Sequence, residues 1–272
     1  MTRIALLQMC SGIDPQRNAE TIVAAVAEAA AGGAAMVFTP EMSNIVDRDR
    51  KRAGGHVVAE ERDIVLQQAC EAAARHGVWV ALGSLAIDRG DGRLANRAFV
   101  IDSEGNIVTR YDKLHMFDVD LATGESWRES NAYAPGDALG IAEGTPLGRL
   151  GLAICYDIRF PALFERLGQR HCDAIAIPAA FTVPTGRDHW HLLQRARAVE
   201  ASAFVLSAAQ VGHHEDGRDT YGHSLAVDPW GEVLLDMGGE KAGLGFVDLD
   251  LARLTEVRQQ LPSLANRRAI PN

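Results

Sequence analysis

Short apolar segments of strand length alternate with segments of helical periodicity through the first third of this sequence. The segments at 3–9, 35–38 and 78–87 are predicted strands, while 18–31 and 62–75 are predicted helices that end near glycine. Alternation of this kind is typical of an α/β layered domain rather than of a helix bundle or a β-sandwich. With 272 residues, of which 47% are apolar, the chain can also bury a sizeable core.

The second half of the chain repeats this alternation. Strands are predicted at 150–155, 174–178 and 204–210, and helices at 161–168 and 189–201. Since no Ser/Pro-rich linker separates the two halves, we expect a single domain over residues 1–272.

Two predicted hairpins suggest that the halves are related. Asp102 and Asp228 each begin a turn of the form DxxGx[IV][VL], within hairpin patterns at 98–111 and 224–236. A looser segment at 118–137, rich in Gly, Ser, Asn and Pro, is predicted to form a loop near the functional site.

The charge balance and the cysteines restrict the partners and the compartment. The chain has 27 Lys and Arg against 36 Asp and Glu, a formal net charge of −9, so no nucleic-acid partner is expected. No segment reaches the roughly 18 apolar residues that a membrane span needs, and the first residues resemble no cleavable leader. The four cysteines form no CxxC pair, which is typical of a reducing compartment. We therefore expect a soluble cytoplasmic protein without a membrane partner.

Cys155 is the strongest candidate for a chemically active residue. It stands in GLAICYDIRFP, after a predicted strand and before a helix that begins at Pro161. A thiol at such a turn lies near backbone N–H groups, as a nucleophile and its oxyanion require. A buried packing cysteine is the ordinary alternative. The polar residues Tyr156, Asp157 and Arg159, crowded after a core strand, favour a functional site because their burial is otherwise costly.

Glu41 and Lys113 also follow predicted strands. Glu41 stands in FTPEMSN and Lys113 in RYDKLHMFD, and open α/β sheets bind ligands at the carboxyl ends of their strands. A solvated loop glutamate and a surface lysine are the alternatives for each residue alone.

Taken together, these segments resemble the three signature blocks of the nitrilase superfamily, the carbon–nitrogen hydrolases. The blocks are TPE at 39–41, YDKLHMFD at 111–118 and GLAICYDIRFP at 151–161, and RESNAYAPGD at 128–137 and YGHSLAVDPWG at 221–231 agree with them. Within the superfamily, the FDVD and RES motifs are most similar to the amidase branch that contains deaminated glutathione amidase and omega-amidase.

The resemblance implies an α/β fold, a four-layer αββα sandwich of two facing mixed sheets. It also implies that Cys155 is the nucleophile, Glu41 the general base and Lys113 the oxyanion stabiliser. Glu129 is implied to position Lys113 and the substrate, and the backbone N–H of Tyr156 to share the oxyanion. Amide hydrolysis independently needs a strong nucleophile, a proton donor for the leaving amine and a cation near the oxyanion.

The resemblance further implies a substrate that carries a carboxylate beside its amide. The implied reaction hydrolyses the terminal amide of a small dicarboxylic acid monoamide, of the deaminated glutathione or α-ketoglutaramate type, to a carboxylate and ammonia. Arg159, Arg128 and Arg187 are candidates for binding the carboxylate, and Phe181 for shaping the acyl pocket. An N-carbamoyl amino acid hydrolase or an aliphatic amidase with the same triad is the alternative enzyme. A non-catalytic interaction protein on this fold is the alternative from another class.

No cofactor and no metal are expected, and the family implies a homodimer or a higher homo-oligomer. His189 and His191 flank Trp190 at a spacing that puts them on different faces of a helix, unlike the HxxxH spacing of zinc sites. The resemblance implies that His189 and His223 occupy family positions that are structural or that support the residues of the site.

Overall fold

Two six-stranded mixed sheets form the centre of the molecule, as seen in a computed structural model that describes residues 1–122, 124 and 126–268. The first half of the chain forms strands β1 (Thr2–Gln8), β2 (Met36–Phe38), β3 (Trp79–Asp88), β4 (Leu94–Ile101), β5 (Ile107–Asp112), β6 (Asp118–Asp120) and β7 (Ser126–Arg128). The second half forms β8 (Gly140–Thr145), β9 (Gly148–Leu152), β10 (Ala174–Ala176), β11 (Phe204–Ser207), β12 (Val211–His213), β13 (Asp219–Tyr221), β14 (Leu225–Val227), β15 (Val233–Asp236) and β16 (Gly243–Leu249).

Helices cover the outer faces of the sheets. They are α1 (Pro15–Ala31), α2 (Arg50–Ala53), α3 (Ile64–His76), α4 (Pro161–Gln169), α5 (Val183–Ala201) and α6 (Ala252–Gln260), with 3₁₀ segments at Glu60–Arg62, Glu129–Asn131 and Cys155–Arg159. None of the helices in the described ranges combines the length and the apolar character that crossing a bilayer requires.

The two sheets repeat one topology. The first has the order β16-β1-β2-β3-β4-β5 and the second, read from its other edge, β8-β9-β10-β11-β14-β15. In each sheet three consecutive strands are parallel, and antiparallel strands flank them. The hairpins β4–β5 and β14–β15 occupy corresponding places, which confirms the relation that the two hairpin motifs predicted.

The principal hydrophobic core lies between the facing sheets. It contains apolar side chains from both, among them Leu6, Phe38, Val100, Leu152, Ile175 and Leu206. A second cluster joins α1 and α3 to the outer face of the first sheet, while Phe164 of α4 and Trp190 of α5 extend the principal core over the second. These layers confirm the predicted αββα sandwich.

Local signals explain where the first helices begin and end. Asp14 and Asp63 accept hydrogen bonds from backbone N–H groups at the starts of α1 and α3, as N-caps do. Gly77 ends α3 in the left-handed conformation, with φ of 65°. The helix predicted at 189–201 begins earlier, at Val183, because a proline in its first turn is compatible with helix initiation.

Two predictions near the site differ from the structure. The strand predicted at 150–155 ends at Leu152, because Cys155 adopts φ of 46°, which no strand residue has. The loop predicted at 118–137 contains the short hairpin β6–β7. Positions 123 and 125 of that segment lie outside the described residues.

Gly83 of β3 lies against the turn that carries Glu41. Its N–H donates to Thr39 Oγ1 at 2.9 Å, and a Cβ on Gly83 would overlap the backbone oxygens of Thr39 and Pro40. The glycine therefore allows the turn after β2 to pack directly on β3.

We predict that Gly83→Ala destabilises the protein by about 1–3 kcal/mol, since overpacked cores lose that much. It should also lower activity, because the displaced backbone leads into Glu41. Urea unfolding and an amidase assay measure the two effects. Gly243→Ala is the matched control, because a Cβ there has no neighbour within 4 Å. Equal stability of the two variants would contradict the tight contact at Gly83.

Candidate active site

Three strand ends place Glu41, Lys113 and Cys155 together. Glu41 follows β2, Lys113 follows β5 directly, and Cys155 begins the 3₁₀ segment after β9. Lys113 Nζ lies 2.9 Å from Glu41 Oε1, and Cys155 is close enough to Glu41 for that carboxylate to raise the pKa of its thiol. The structure thus brings together residues from both sheets that the sequence analysis had selected separately.

Two carboxylates hold the Lys113 ammonium. Besides Glu41, Glu129 accepts from Lys113 Nζ through Oε2 at 2.9 Å and through Oε1 at 3.2 Å. Lys113 is 2% exposed, and an ammonium at that depth must be paired to remain charged. Burial works to lower the pKa of Lys113, but the Glu129 and Glu41 carboxylates raise it well above its usual value. The three groups together carry one net negative charge.

Asn96 on β4 completes this cluster, and the sequence analysis did not select it. Its Nδ2 donates to Glu41 Oε1 at 2.9 Å and to Glu129 Oε1 at 3.0 Å, so one amide bridges both carboxylates. Its backbone carbonyl accepts from Lys113 N at 2.9 Å. A buried Asn in β4, a strand whose other residues apart from Arg97 are apolar, was the available signal.

The second oxygen of Glu41 is fixed from the other sheet. Glu41 Oε2 accepts from the backbone N–H of Ala180 at 2.9 Å, just beyond β10. Burial works to raise the pKa of Glu41, but the Lys113 charge and the hydrogen bonds from Lys113, Cys155 and Asn96 hold it below its usual value. Glu41 is therefore an ionised carboxylate at neutral pH.

The Cys155 thiol is buried in a strained turn. Its backbone has φ of 46°, a region that costs a non-glycine residue energy, and its N–H donates to Pro178 O at 2.9 Å. Burial and the Glu41 charge raise the pKa of Cys155 well above its usual value, against the opposing Lys113 charge. The resting residue is thus a neutral thiol beside a proton acceptor.

Asp157 holds the Cys155 turn against β5. This buried carboxylate accepts from Ile154 N at 2.9 Å, from Tyr111 Oη at 2.7 Å and from His115 N at 3.0 Å. Asp157 therefore ties the Cys155 turn of the second sheet to β5, the strand that Lys113 follows. Asp157, one of the polar residues that follow Cys155 in the sequence, thus supports the turn.

Arg159, Tyr156 and Phe181 lie together beside the cluster. The Arg159 guanidinium carbon is 5.9 Å from the Tyr156 ring centre and 5.4 Å from that of Phe181. Arg159 Nη1 is 3.3 Å from His189 Nδ1, and no carboxylate in the described part of the chain pairs with it. A cation without an acidic partner beside an apolar ring suits a substrate that carries a carboxylate.

The other two arginine candidates lie elsewhere. Arg128 donates to Asp120 Oδ2 at 2.6 Å, and its side chain is 43% exposed, so it belongs to the β6–β7 hairpin. Arg187 is exposed on α5.

Three side chains apart from this cluster come close to one another. The ligand atoms of His191, His223 and Asp236 lie within 4.8 Å of each other. His191 Nε2 is 2.9 Å from one Asp236 oxygen, and His223 Nδ1 is 2.8 Å from the other. The positions of both imidazoles are explained by hydrogen bonds to the shared Asp236 carboxylate. This agrees with a structural role for His223.

The cluster offers the groups that acyl transfer from an amide requires. A neutral thiol beside an ionised carboxylate has a base to accept its proton. A fixed ammonium can stabilise negative charge that develops on a carbonyl oxygen.

Comparison with known proteins points the same way. A family model described as carbon-nitrogen hydrolase matches residues 3–259. Deaminated glutathione amidase of Yersinia enterocolitica is 38% identical over 271 residues, which cover 98% of this chain and 93% of that protein.

Two solved structures are also similar. Saccharomyces cerevisiae Nit3, a member of branch 10 of the nitrilase superfamily, has a TM-score of 0.87 at 26% identity, over 98% of this chain and 97% of that one. A Glu-to-Gln mutant of the amidase from Nesterenkonia sp. AN1 has a TM-score of 0.79 at 27% identity, over 96% and 98% of the two chains. That structure shows the result of Michael addition of acrylamide at the active-site cysteine.

We predict that Asn96→Asp lowers kcat by at least about tenfold, because a third carboxylate would repel Glu41 and Glu129 and compete for Lys113. Steady-state kinetics with circular dichroism separates this effect from misfolding. Asn266→Asp, at an exposed position, is the control. Full activity of a folded Asn96→Asp protein would contradict the bridging role.

Proposed function

The chain belongs to the carbon–nitrogen hydrolase family of the nitrilase superfamily, and we propose that it hydrolyses an amide of a small dicarboxylic acid through a thioester on Cys155. The observation that carries the proposal is the buried Glu41 carboxylate, which pairs with the Lys113 ammonium at 2.9 Å and lies close enough to Cys155 to raise the pKa of its thiol. The acid is of the α-ketoglutaric type, by analogy with the deaminated glutathione amidases that this chain resembles.

The first half-reaction begins with the substrate carbonyl next to Cys155. Glu41 accepts the thiol proton while the sulfur attacks the carbonyl carbon, and the carbonyl oxygen becomes an oxyanion. The Lys113 ammonium and the backbone N–H of Tyr156 stabilise this oxyanion. Tyr156 lies in the first turn of a 3₁₀ segment, where N–H groups have no partner within the segment.

The intermediate then loses its amine. Glu41, now protonated, delivers its proton to the amine nitrogen as the C–N bond breaks, which leaves the acyl group on the sulfur. In the second half-reaction Glu41 takes a proton from water, and the hydroxide attacks the thioester. The C–S bond breaks, the acid departs, and the sulfur recovers its proton from Glu41. Glu129 and Asn96 do not react, and they keep Lys113 and Glu41 in place.

The leaving amine distinguishes the substrates of this type. α-Ketoglutaramate releases ammonia, whereas deaminated glutathione carries cysteinylglycine on the amide nitrogen and releases that dipeptide. Both yield α-ketoglutarate, which is therefore the product to measure.

We further propose one domain over residues 1–272, a homodimer and a cytoplasmic location. The shared site supports the single domain, since its residues come from both sheets. The dimer is supported by family resemblance alone, and the location by the scattered cysteines.

We predict that Glu41→Gln lowers turnover by about 10²- to 10⁴-fold or more, the usual contribution of a general base. Because the Glu41 charge raises the pKa of Cys155, its removal lowers that pKa, and iodoacetamide should then label Cys155 faster at pH 7. Product formation and mass spectrometry measure the two effects.

Two variants control this experiment. Cys155→Ala should lose both turnover and labelling, while Glu61→Gln, at an exposed position, should behave as wild type. Substantial turnover in folded Cys155→Ala would show that the nucleophile is another residue.

We predict that Arg159→Gln raises KM for α-ketoglutaramate. Loss of a hydrogen bond between charged groups costs about 1.5–3 kcal/mol, or roughly 10- to 100-fold in affinity. The KM for butyramide, which lacks the carboxylate, should change little. Arg128→Gln and Arg187→Gln are matched controls that keep wild-type kinetics. An equal loss with both amides in Arg159→Gln would exclude carboxylate recognition by this residue.

A further inference from the structure

A row of aromatic rings runs beside the active site between two arginines. The row consists of Tyr156, Phe117 and Trp127, and we call it the aromatic rim. Phe117 is 5.1 Å from Tyr156 and 6.3 Å from Trp127, measured between ring centres. Arg159 lies at the Tyr156 end, and the Arg218 guanidinium carbon lies 5.1 Å from the ring centre of Trp127 at the other end.

The aromatic rim borders the reacting groups along its length. Tyr156 follows Cys155 in the chain, and the backbone N–H of Phe117 donates to Glu129 Oε2 at 2.7 Å. Tyr133 links the second arginine to the same region. Burial and the Glu129 charge raise the pKa of Tyr133, and the Arg218 charge acts to lower it. The Tyr133 N–H also donates to the backbone oxygen of Glu129 at 3.0 Å, so this tyrosine lies next to the catalytic cluster.

Arg218 reaches this place from the β12–β13 hairpin. Its Nε donates to Asp216 Oδ2 at 2.8 Å, and its side chain is 19% exposed. Within the described ranges, no acceptor receives a hydrogen bond from its two terminal nitrogens. The two terminal nitrogens of an arginine can donate two parallel hydrogen bonds to one carboxylate.

Two further arginines pair with acids close to Arg218. Arg48 lies 3.9 Å from Asp216, and Arg52 lies 2.7 Å from Asp47. The side chains of Asp47 and Asp216 are fully buried, so these two acids face three guanidinium groups. An anion that approaches Arg218 therefore meets a cluster of guanidinium groups.

We propose that Arg218 forms a second anion subsite, which binds the carboxylate of the leaving amine. The inference rests on the proposed function and deepens it. Arg159 would bind the acyl carboxylate at one end of the rim, so a substrate whose carbonyl lies at Cys155 must extend its leaving group away from Arg159. Cysteinylglycine carries its carboxylate at the end opposite the scissile amide, which is the end that extends along the rim.

The subsite predicts a preference for the larger substrate. A carboxylate on the leaving amine gains a bidentate partner at Arg218, and the peptide between the two ends packs on the aromatic rim. A primary amide, which releases ammonia, makes neither contact. The enzyme should therefore favour amides with a peptide-like, acidic leaving group over primary amides of the same acid.

Arg218→Gln tests the subsite through a ratio. We expect the kcat/KM for deaminated glutathione, divided by that for α-ketoglutaramate, to fall by about 10- to 100-fold. Arg17→Gln, on the exposed surface of α1, is the matched control and should keep the ratio. Thermal unfolding of each variant measures whether leaving the buried Asp216 without its Arg218 partner has destabilised the fold.

A substrate change in the wild-type protein gives the same information without a mutation. Deaminated glutathione with its glycine carboxylate converted to a carboxamide should react about 10- to 100-fold less efficiently than the acid. Arg218→Gln should remove this difference, because the residue that distinguishes the acid from the amide is gone.

The outcomes separate the two proposals. If wild-type protein hydrolyses the acid and its carboxamide equally well, or if Arg218→Gln leaves the substrate ratio unchanged, the subsite is wrong and the amidase proposal stands. If wild-type protein hydrolyses neither deaminated glutathione nor α-ketoglutaramate, the proposed function fails and the subsite fails with it.

Discussion

The pairing of one buried ammonium with two carboxylates is the interaction on which the site depends. Lys113 and Glu41 are both almost fully buried, and the Lys113 charge helps to hold the pKa of Glu41 below its usual value at that depth. Burial and the Glu41 charge raise the pKa of the neighbouring Cys155, so the thiol stays neutral until a substrate carbonyl is in place. Asn96 and the Ala180 N–H satisfy the remaining carboxylate oxygens, so the arrangement is held from both sheets.

The repeated topology explains why the cluster assembles where it does. Each sheet has three parallel strands whose carboxyl ends meet at one edge, and β2 and β9 bring Glu41 and Cys155 from corresponding regions of the two sheets. Facing the sheets across one core sets these edges side by side. Asp157 then links the Cys155 turn to β5, so the position of the nucleophile and that of Lys113 are set by the same contact.

Much of this architecture could be predicted from periodicity and glycine signals, because the central strands and the long helices are strongly patterned. The motifs also led to Glu41, Lys113, Cys155 and Glu129, which the structure brings together. The edge strand β16 was not predicted, because its apolar residues lack a buried face of clear period two. Asn96 was not selected either, since one polar residue in a strand reveals its role only when its partners are known. Arg128 follows a family motif, yet the local hairpin determines its partner.

The cluster joins residues that are distant along the chain, and this has a consequence for folding. Long-range contacts form only after the loops between them close, which makes such folds slow to complete. The ammonium and its carboxylates lose water only when the two sheets dock, so the assembled charges are a late product of folding. A chain with one sheet formed lacks the contact of Glu41 with Ala180 and the contacts of Asp157 with Tyr111 and His115. Attack by Cys155 with Glu41 as its base is thus available only to the fully folded chain.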